Sequence, residues 1–280
     1  MKSRSAFGAQ RLRPLTAAHR SSDPPTSALP LGASFGNMAE RTSLADGIGQ
    51  QRASRRSVSL RESRQPDRHM SHVVLLGDST LDNASYTAGG PDVISQVRQL
   101  LPPGWKATLS AVDGSTTEDI PEQLESMPDD ATHLILSIGG NNAILRADIL
   151  EKPVASTGEA FHLLSAVAEE FEKQYRKALT TCLSRRLPLA ACTIYHGNFE
   201  DEVFRRRAIV ALTLFNDAIV RCAAEHQLLV IDLRFVCNAP LDFANPIEPS
   251  AIGGAKIARA IVTAVMEPSA TKRRSQIATS

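Results

Sequence analysis

Short apolar runs alternate with longer segments of helical periodicity from His72 to Met266. The apolar runs are typical of strands covered on both faces, because such strands expose no polar side. They predict strands at Val73–Leu76, Lys106–Val112, Leu134–Ile138, Leu187–Tyr195 and Leu228–Leu233. Residues at helical spacing predict helices over Pro91–Leu101, Gly158–Ser184 and Phe204–His226, and Ser250 is placed to cap a last helix ending at Met266. This alternation predicts a three-layer α/β/α fold with a mostly parallel five-stranded sheet and right-handed crossovers.

The two ends of the chain lack such a pattern. Residues 1–70 are rich in Arg, Ser, Ala, Gly and Pro, which predicts a disordered basic leader, and we expect a disordered tail at residues 269–280. The folded domain is therefore predicted at residues 71–268. The first 22 residues carry five basic groups, no acidic group and no continuous apolar stretch. This pattern argues against a secretory signal and resembles an organellar transit peptide.

Two other interpretations of the leader stay open: a plain disordered extension, or a gene prediction that begins too early, since Met70 directly precedes the domain. On each of these interpretations we expect a soluble intracellular protein, either cytoplasmic or organellar. The sequence does not indicate an oligomeric state.

Charge and composition exclude several classes of partner. Residues 1–70 hold 12 Lys/Arg and 5 Asp/Glu, a balance of +7, whereas the other 210 residues hold 19 and 25, a balance of −6. The basic excess thus belongs to the leader, and we expect no nucleic-acid partner. No apolar run approaches the roughly 18 residues of a membrane span, so we expect no membrane partner. The cysteines lack zinc spacing and nucleotide-binding motifs are absent, so we expect buried, reduced thiols and no metal or cofactor.

Small and hydrogen-bonding residues follow the predicted strands. Gly77-Asp78-Ser79-Thr80 follows the first strand, residues 113–117 (DGSTT) follow the second, and Gly139-Gly140-Asn141-Asn142 follows the third. Residues 245–250 (NPIEPS) precede the last helix. Ligands of parallel α/β sheets bind beyond the carboxyl ends of the strands. The sequence therefore predicts that these segments meet at one functional edge of the sheet.

The same segments resemble the conserved blocks of SGNH (GDSL) hydrolases, whose fold is flavodoxin-like. Gly77-Asp78-Ser79-Thr80 resembles the opening G-D-S-L block, Gly114 is placed like the second-block glycine, and residues 139–142 are similar to the G-x-N-D block. The resemblance implies that Ser79 is the nucleophile of acyl transfer. It also implies an oxyanion hole formed by the Ser79 and Gly114 backbone N–H groups and the Asn141 amide. By analogy, the substrate is a small acyl or acetyl ester.

The last block departs from the family pattern. The family has D-x-x-H-P, which supplies the histidine base and its aspartate, whereas this chain has Asn245 and Glu248 at the matching positions, followed by Pro249. Asn142 likewise stands where the family has aspartate. A glutamate ionises near pH 4.3, compared with about 6.5 for histidine, so Glu248 would need burial to act as a base near neutral pH.

Two functions therefore stay open: a serine esterase that uses Glu248 as its base, and a non-catalytic ligand-binding pseudo-hydrolase in which Glu248 is structural. His196 also follows a predicted strand and is the alternative base.

Overall fold

The computed structural model describes residues 70–266, which contain a five-stranded parallel sheet with the strand order β2-β1-β3-β4-β5. The predictions for the tail and, apart from Met70, for the leader lie outside the described residues. The strands are β1 His72–Gly77, β2 Lys106–Leu109, β3 His133–Ser137, β4 Leu189–Cys192 and β5 Leu229–Ile231. All four pairings between neighbouring strands are parallel, which confirms the predicted architecture.

Four long helices connect or follow these strands: α1 Val93–Leu100, α4 Thr157–Leu183, α5 Glu202–Glu225 and α7 Ala251–Met266. Their first turns are capped by side-chain oxygens of Asp92, Ser156, Asp201 and Ser250. Such caps satisfy backbone N–H groups that have no partner within the helix. The predicted helices therefore exist within a few residues of their expected bounds.

Shorter helices were not predicted, because a few residues are too short to show a helical period. They are α2 Ile120–Glu125, α3 Gly140–Ile144 and α6 Leu233–Val236, together with 3₁₀ turns at Ala84–Tyr86, Ala147–Glu151 and Pro240–Asp242. Helix α3 and the turn at 147–151 lie between β3 and α4. Helix α3 begins within the third glycine-containing segment, residues 139–142.

Alternate side chains of the central strands enter two separate cores, as the period of a strand requires. Val73 and Leu75 of β1 pack in one core with α1 and α7, whereas Val74 and Leu76 pack in the other with α2, α4 and α5. The sheet is thus covered on both faces. All four cysteines lie buried as free thiols within this interior.

Helices α4 and α5 are much longer than the strands beneath them. Helix α4 has 27 residues and is therefore about 40 Å long, whereas strands of 3 to 6 residues span roughly 10 to 20 Å. Residues 157–166 of α4 and 202–207 of α5 contain no buried side chain. The amino-terminal turns of both helices therefore extend past the carboxyl edge of the sheet. Over residues 70–266, no helix combines the length and the apolar character that crossing a bilayer requires.

Candidate active site

The turn after β1 is built around a residue that must be glycine. Gly77 has φ +142°, and a Cβ added to it would lie 1.8 Å from the backbone oxygen of Ser137 on the neighbouring strand. The Gln123 side chain accepts a hydrogen bond from Gly77 N and donates one to Gly77 O, each at 2.8 Å. Asp78 N donates to Ser137 O at 3.1 Å. These contacts hold the chain at the sheet edge, where Ser79 follows.

Asp78 braces the same turn. Its Oδ1 accepts a hydrogen bond from Thr80 N at 3.0 Å, and the carboxyl also interacts with the backbone N–H of Gly140 at the start of α3. Burial raises the pKa of Asp78 to about 6, an effect that the hydrogen bonds from Thr80 and Gly140 reduce and the charge of Asp113 increases. Asp78 therefore links the first and third glycine-rich segments.

The groups predicted to form the oxyanion hole keep donor hydrogens that have no protein acceptor among residues 70–266. Within residues 70–266, the backbone N–H groups of Ser79 and Gly114 donate to no protein acceptor. Asn141, in the first turn of α3, donates one amide hydrogen to Ser115 O at 2.9 Å. An asparagine amide carries two donor hydrogens, so one remains for a ligand. Since Ser115 follows Gly114, this bond joins the second and third segments.

Asn142 has a structural position. Its Oδ1 accepts from Thr117 N at 3.1 Å, while its Nδ2 donates to Thr117 Oγ1 at 3.0 Å and to Gln174 Oε1 at 3.1 Å. An amide both accepts and donates, which a carboxylate does not do. The departure from aspartate at this position therefore matches a hydrogen-bond network that joins α3 to α4 and to the loop before α2.

The loop before α7 is shaped by Asn245. Its Oδ1 accepts hydrogen bonds from Ile247 N and Glu248 N, both at 2.9 Å, and Ala244 N donates to Glu248 O at 2.9 Å. This is the local side-chain-to-backbone turn that Asn and Asp favour. Asn245 thus sets the backbone that carries Glu248, and it needs no charge to do so.

Asn83 joins this loop to the nucleophile turn. It is fully buried, its Nδ2 donates to Pro249 O at 3.1 Å, and its Oδ1 accepts from Val93 N at 2.8 Å. Neither Asn83 nor Gln123 is predicted from the sequence to shape the site, because neither lies in a recognised block. The only signal that marks Asn83 is its position shortly after the glycine-rich segment.

Glu248 lies next to the Ser79 hydroxyl. The residue is only 6% exposed, and its Oε2 has no hydrogen-bond partner within the part of the chain that the structure describes. Burial raises the pKa of Glu248 to about 7, the charges of Asp113 and Asp78 raise it further, and the interaction with the Ser79 side chain lowers it in part. Tyr86 also faces this group: it donates to Asp113 Oδ2 at 2.7 Å. A carboxyl with a pKa near neutrality exchanges protons readily at physiological pH.

A single cavity of about 530 Å³ collects most of the predicted residues: Ser79, Asn141, Asn245, Glu248 and His196 all line it. Gly114 does not line the cavity and lies on the adjacent loop. Over residues 70–266, no group of three or more His, Cys, Asp or Glu side chains is arranged to hold a metal ion.

His196 also lies on the wall of the cavity. It is half-buried, and no hydrogen bond joins it to Ser79 among the described residues. Burial lowers its pKa, the charge of Arg234 lowers it further, and that of Asp232 opposes the change. The geometry therefore favours Glu248 over His196 as the neighbour of the Ser79 hydroxyl.

Several solved structures share this fold. An extracellular lipase from Streptomyces rimosus is 16% identical with a TM-score of 0.53, and the match covers 69% of this chain and 99% of that one. For a phospholipase A1 from Streptomyces albidoflavus the identity is 14%, the TM-score 0.54 and the coverage 70% and 99%. A catalytic mutant of an acetylxylan esterase from Geobacillus stearothermophilus is 16% identical with a TM-score of 0.51, covering 71% and 95%. At such identities the likeness establishes the fold.

Comparison with curated proteins gave no match. The family profile described as the GDSL-like lipase/acylhydrolase family matches residues 75–253, a region that contains Ser79, Gly114, Asn141 and Glu248. This match covers more than half of the chain and confirms the resemblance drawn from the glycine-rich segments. The chain therefore belongs to the GDSL-like lipase/acylhydrolase family.

Proposed function

We propose that this protein is a serine esterase that hydrolyses a small-molecule acyl ester through an acyl-enzyme on Ser79, with Glu248 as the general base. The observation that carries the proposal is the buried Glu248 carboxyl, which lines the same cavity as Ser79 and whose Oε2 has no hydrogen-bond partner among residues 70–266. Burial raises the pKa of this carboxyl to about 7, which suits a base. Relatives of the same fold are named as a lipase, a phospholipase A1 and an acetylxylan esterase, and all three names denote ester hydrolysis.

The reaction begins with proton transfer from Ser79 Oγ to the Glu248 carboxylate as Oγ attacks the ester carbonyl carbon. The carbonyl oxygen gains negative charge, which we expect the N–H groups of Ser79 and Gly114 and the second Asn141 amide hydrogen to stabilise. Removal of one such donor in other serine hydrolases costs about 3 kcal/mol of transition-state stabilisation. The tetrahedral intermediate then expels the alcohol, which takes its proton from the Glu248 carboxylic acid.

Hydrolysis of the acyl-enzyme repeats the sequence with water. Glu248 accepts a proton from water as the hydroxide attacks the acyl carbon, and then returns that proton to Ser79 Oγ as the carboxylic acid departs. A histidine base becomes a cation in such steps and benefits from an aspartate neighbour. A glutamate base becomes neutral, which explains how the uncharged Asn245 serves where the family pattern has aspartate.

A fluorophosphonate probe tests the nucleophile. We expect the wild-type protein to be labelled on Ser79 between about pH 6 and pH 9, where the Glu248 carboxyl loses its proton, and the Ser79→Ala variant to stay unlabelled. Glu248→Gln should lose labelling and esterase activity, whereas His196→Gln should retain both. Loss of activity in His196→Gln and not in Glu248→Gln would assign the base to His196 instead.

The alternative, a pseudo-hydrolase that binds its ligand without turnover, makes the opposite prediction. Neither the wild type nor Ser79→Ala would then be labelled, and both would bind an ester equally well. The double variant Asn245→Asp with Glu248→His separates the two functions further. A large gain in activity would indicate a site that has lost its base, while a loss would indicate that Glu248 is the working base.

A further inference from the structure

The cavity at Ser79 is much larger than an acetyl group requires. Its volume of about 530 Å³ lies within the roughly 300–1,000 Å³ typical of pockets for drug-sized ligands. It runs from the nucleophile turn to the space between the amino-terminal halves of α4 and α5. The two helices therefore form walls above the edge of the sheet.

The carboxyl-terminal halves of the same helices are held close together. The cavity therefore lies only between their amino-terminal halves. Arg221 pairs with Glu172 at 2.6 Å, and Arg176 pairs with Glu225. Phe171 of α4 stacks against Phe215 of α5 with ring centroids 4.5 Å apart. Phe215 also lines the cavity, so this aromatic pair marks its base.

The chemistry of the cavity changes along its length. The polar groups Ser79, Asn141 and Glu248 lie together at one end. The walls between α4 and α5 are apolar and include Leu164, Val167, Ala208, Ala211, Leu212 and Phe215. Two basic side chains also line the cavity: burial lowers the pKa of His196 and favours its neutral form, whereas the charged Arg146 is exposed to solvent.

We propose that the acyl group of the substrate is an unbranched alkyl chain of medium length that lies between α4 and α5, with the ester at Ser79. The turnover of such an ester rests on the proposed function, whereas its binding does not. The family resemblance implies an acetyl or other small acyl group. The proposal replaces it with a longer chain that fills the apolar cavity. Burial of each methylene group raises kcat/KM up to about fourfold, since it removes apolar surface from water.

Hydrolysis of p-nitrophenyl acetate, butyrate and octanoate measures this preference. We expect kcat/KM to rise from acetate to butyrate and by roughly 10- to 100-fold from butyrate to octanoate. A preference for acetate over octanoate would overturn the proposal, while leaving the esterase function intact.

Variants in α4 and α5 locate the acyl chain. Ala211→Phe places a ring in the cavity and should lower the octanoate-to-acetate ratio of kcat/KM at least tenfold. Leu164→Trp, on the opposite wall, should act in the same direction. Val210→Phe is the matched control, because the neighbouring Val210 is 59% exposed and does not line the cavity; its ratio should equal that of the wild type. Equal ratios in all four proteins would place the acyl chain elsewhere.

Binding without turnover separates this proposal from the esterase function. Calorimetric titration of Ser79→Ala with p-nitrophenyl octanoate should show binding that Ala211→Phe, added to the same background, weakens at least tenfold and Val210→Phe does not. If the wild type hydrolyses none of the esters, this binding result would support the cavity assignment and overturn the catalytic function. Equal binding of octanoate and acetate esters would overturn the cavity assignment.

Discussion

The loop that carries Ser79 and the loop that carries Glu248 are built in different ways. Gly77, before the nucleophile, lies so close to Ser137 that only glycine fits. The Gln123 side chain forms hydrogen bonds with both the N–H and the C=O of Gly77. The loop before α7, residues 243–250, contains no glycine. Its shape depends on the Asn245 side chain accepting hydrogen bonds from two backbone N–H groups.

This difference explains which part of the site is preserved in the family pattern and which is not. A backbone constraint allows only one residue type, so the nucleophile segment keeps the residues by which the family motif is recognised. A base needs only a suitable pKa and position; here burial supplies the pKa for a carboxyl group in place of an imidazole, and the Asn245 turn supplies the position. The Glu248 loop therefore changes its chemistry without changing the fold around it.

The largest effect is expected from Gly77→Ala. The new Cβ would meet Ser137 O at 1.8 Å, and alanine at φ +142° is strained in any surroundings. We expect a loss of roughly 4 kcal/mol or more in the free energy of unfolding, or no folded protein. Urea unfolding followed by circular dichroism measures it.

Gly89→Ala is the matched control for that variant. Gly89 also has a positive φ, +84°, but an added Cβ would meet no atom within 4 Å. We expect a loss of about 1 to 2 kcal/mol from the backbone alone. Equal losses in the two variants would show that the contact with Ser137 does not determine the sequence at Gly77.

Glu248→Gln should remove activity while raising stability. We expect kcat/KM to fall by about 10² to 10⁴-fold with the loss of the base. The pKa of Glu248 is raised to about 7 from an ordinary value near 4.5, so the folded state holds its proton more tightly than the unfolded state. The wild type therefore loses stability as pH rises from about 4.5 through 7.

Unfolding measured at two pH values tests the direction of this pH dependence of stability. At pH 8 the Gln variant should be more stable than the wild type by about 1–2 kcal/mol, and at pH 4 the difference should shrink, because the carboxyl is then protonated in both states. A variant less stable at both pH values would contradict burial of the charge. In the wild type, kcat/KM should rise with pH to a plateau above about pH 7, since the deprotonated carboxyl is the base.

Asn245→Ala should have an intermediate effect. It removes the acceptor of Ile247 N and Glu248 N, so we expect a loss of about 1 kcal/mol and roughly tenfold in kcat/KM as Glu248 loses its position. Asn245→Asp keeps the acceptor and adds a negative charge, so it should retain stability but move the pH midpoint of kcat/KM upward. Unchanged activity in Asn245→Ala would show that the turn does not position the base.

The sequence predicts the sheet and the long helices well because their patterns repeat over many residues. It misses α2 and α3, which are too short for a period to appear. The positions of Ser79 and Asn141 follow from their places after strands, and the structure brings them to one cavity. The environment of Glu248 is set by residues far away in the chain, such as Asn83 and Asp113, so sequence alone leaves its role open. The extension of α4 and α5 past the carboxyl edge of the sheet likewise depends on tertiary packing.

The smallest expected effect comes from Asp113→Asn, which tests how much the neighbouring charges contribute at the base loop. Burial is the main cause of the raised pKa of Glu248, and the charge of Asp113 adds to it. Removing that charge should move the pH midpoint of kcat/KM downward by a fraction of a unit. Asp113 is exposed, and salt at about 0.5 M screens exposed charges beyond a few ångströms, so high salt should erase most of the shift. Glu118→Gln, an exposed charge on the same loop, is the control and should not move the midpoint. A shift in Asp113→Asn that persists in high salt would mean that the variant changes the position or burial of Glu248 rather than its electrostatic surroundings.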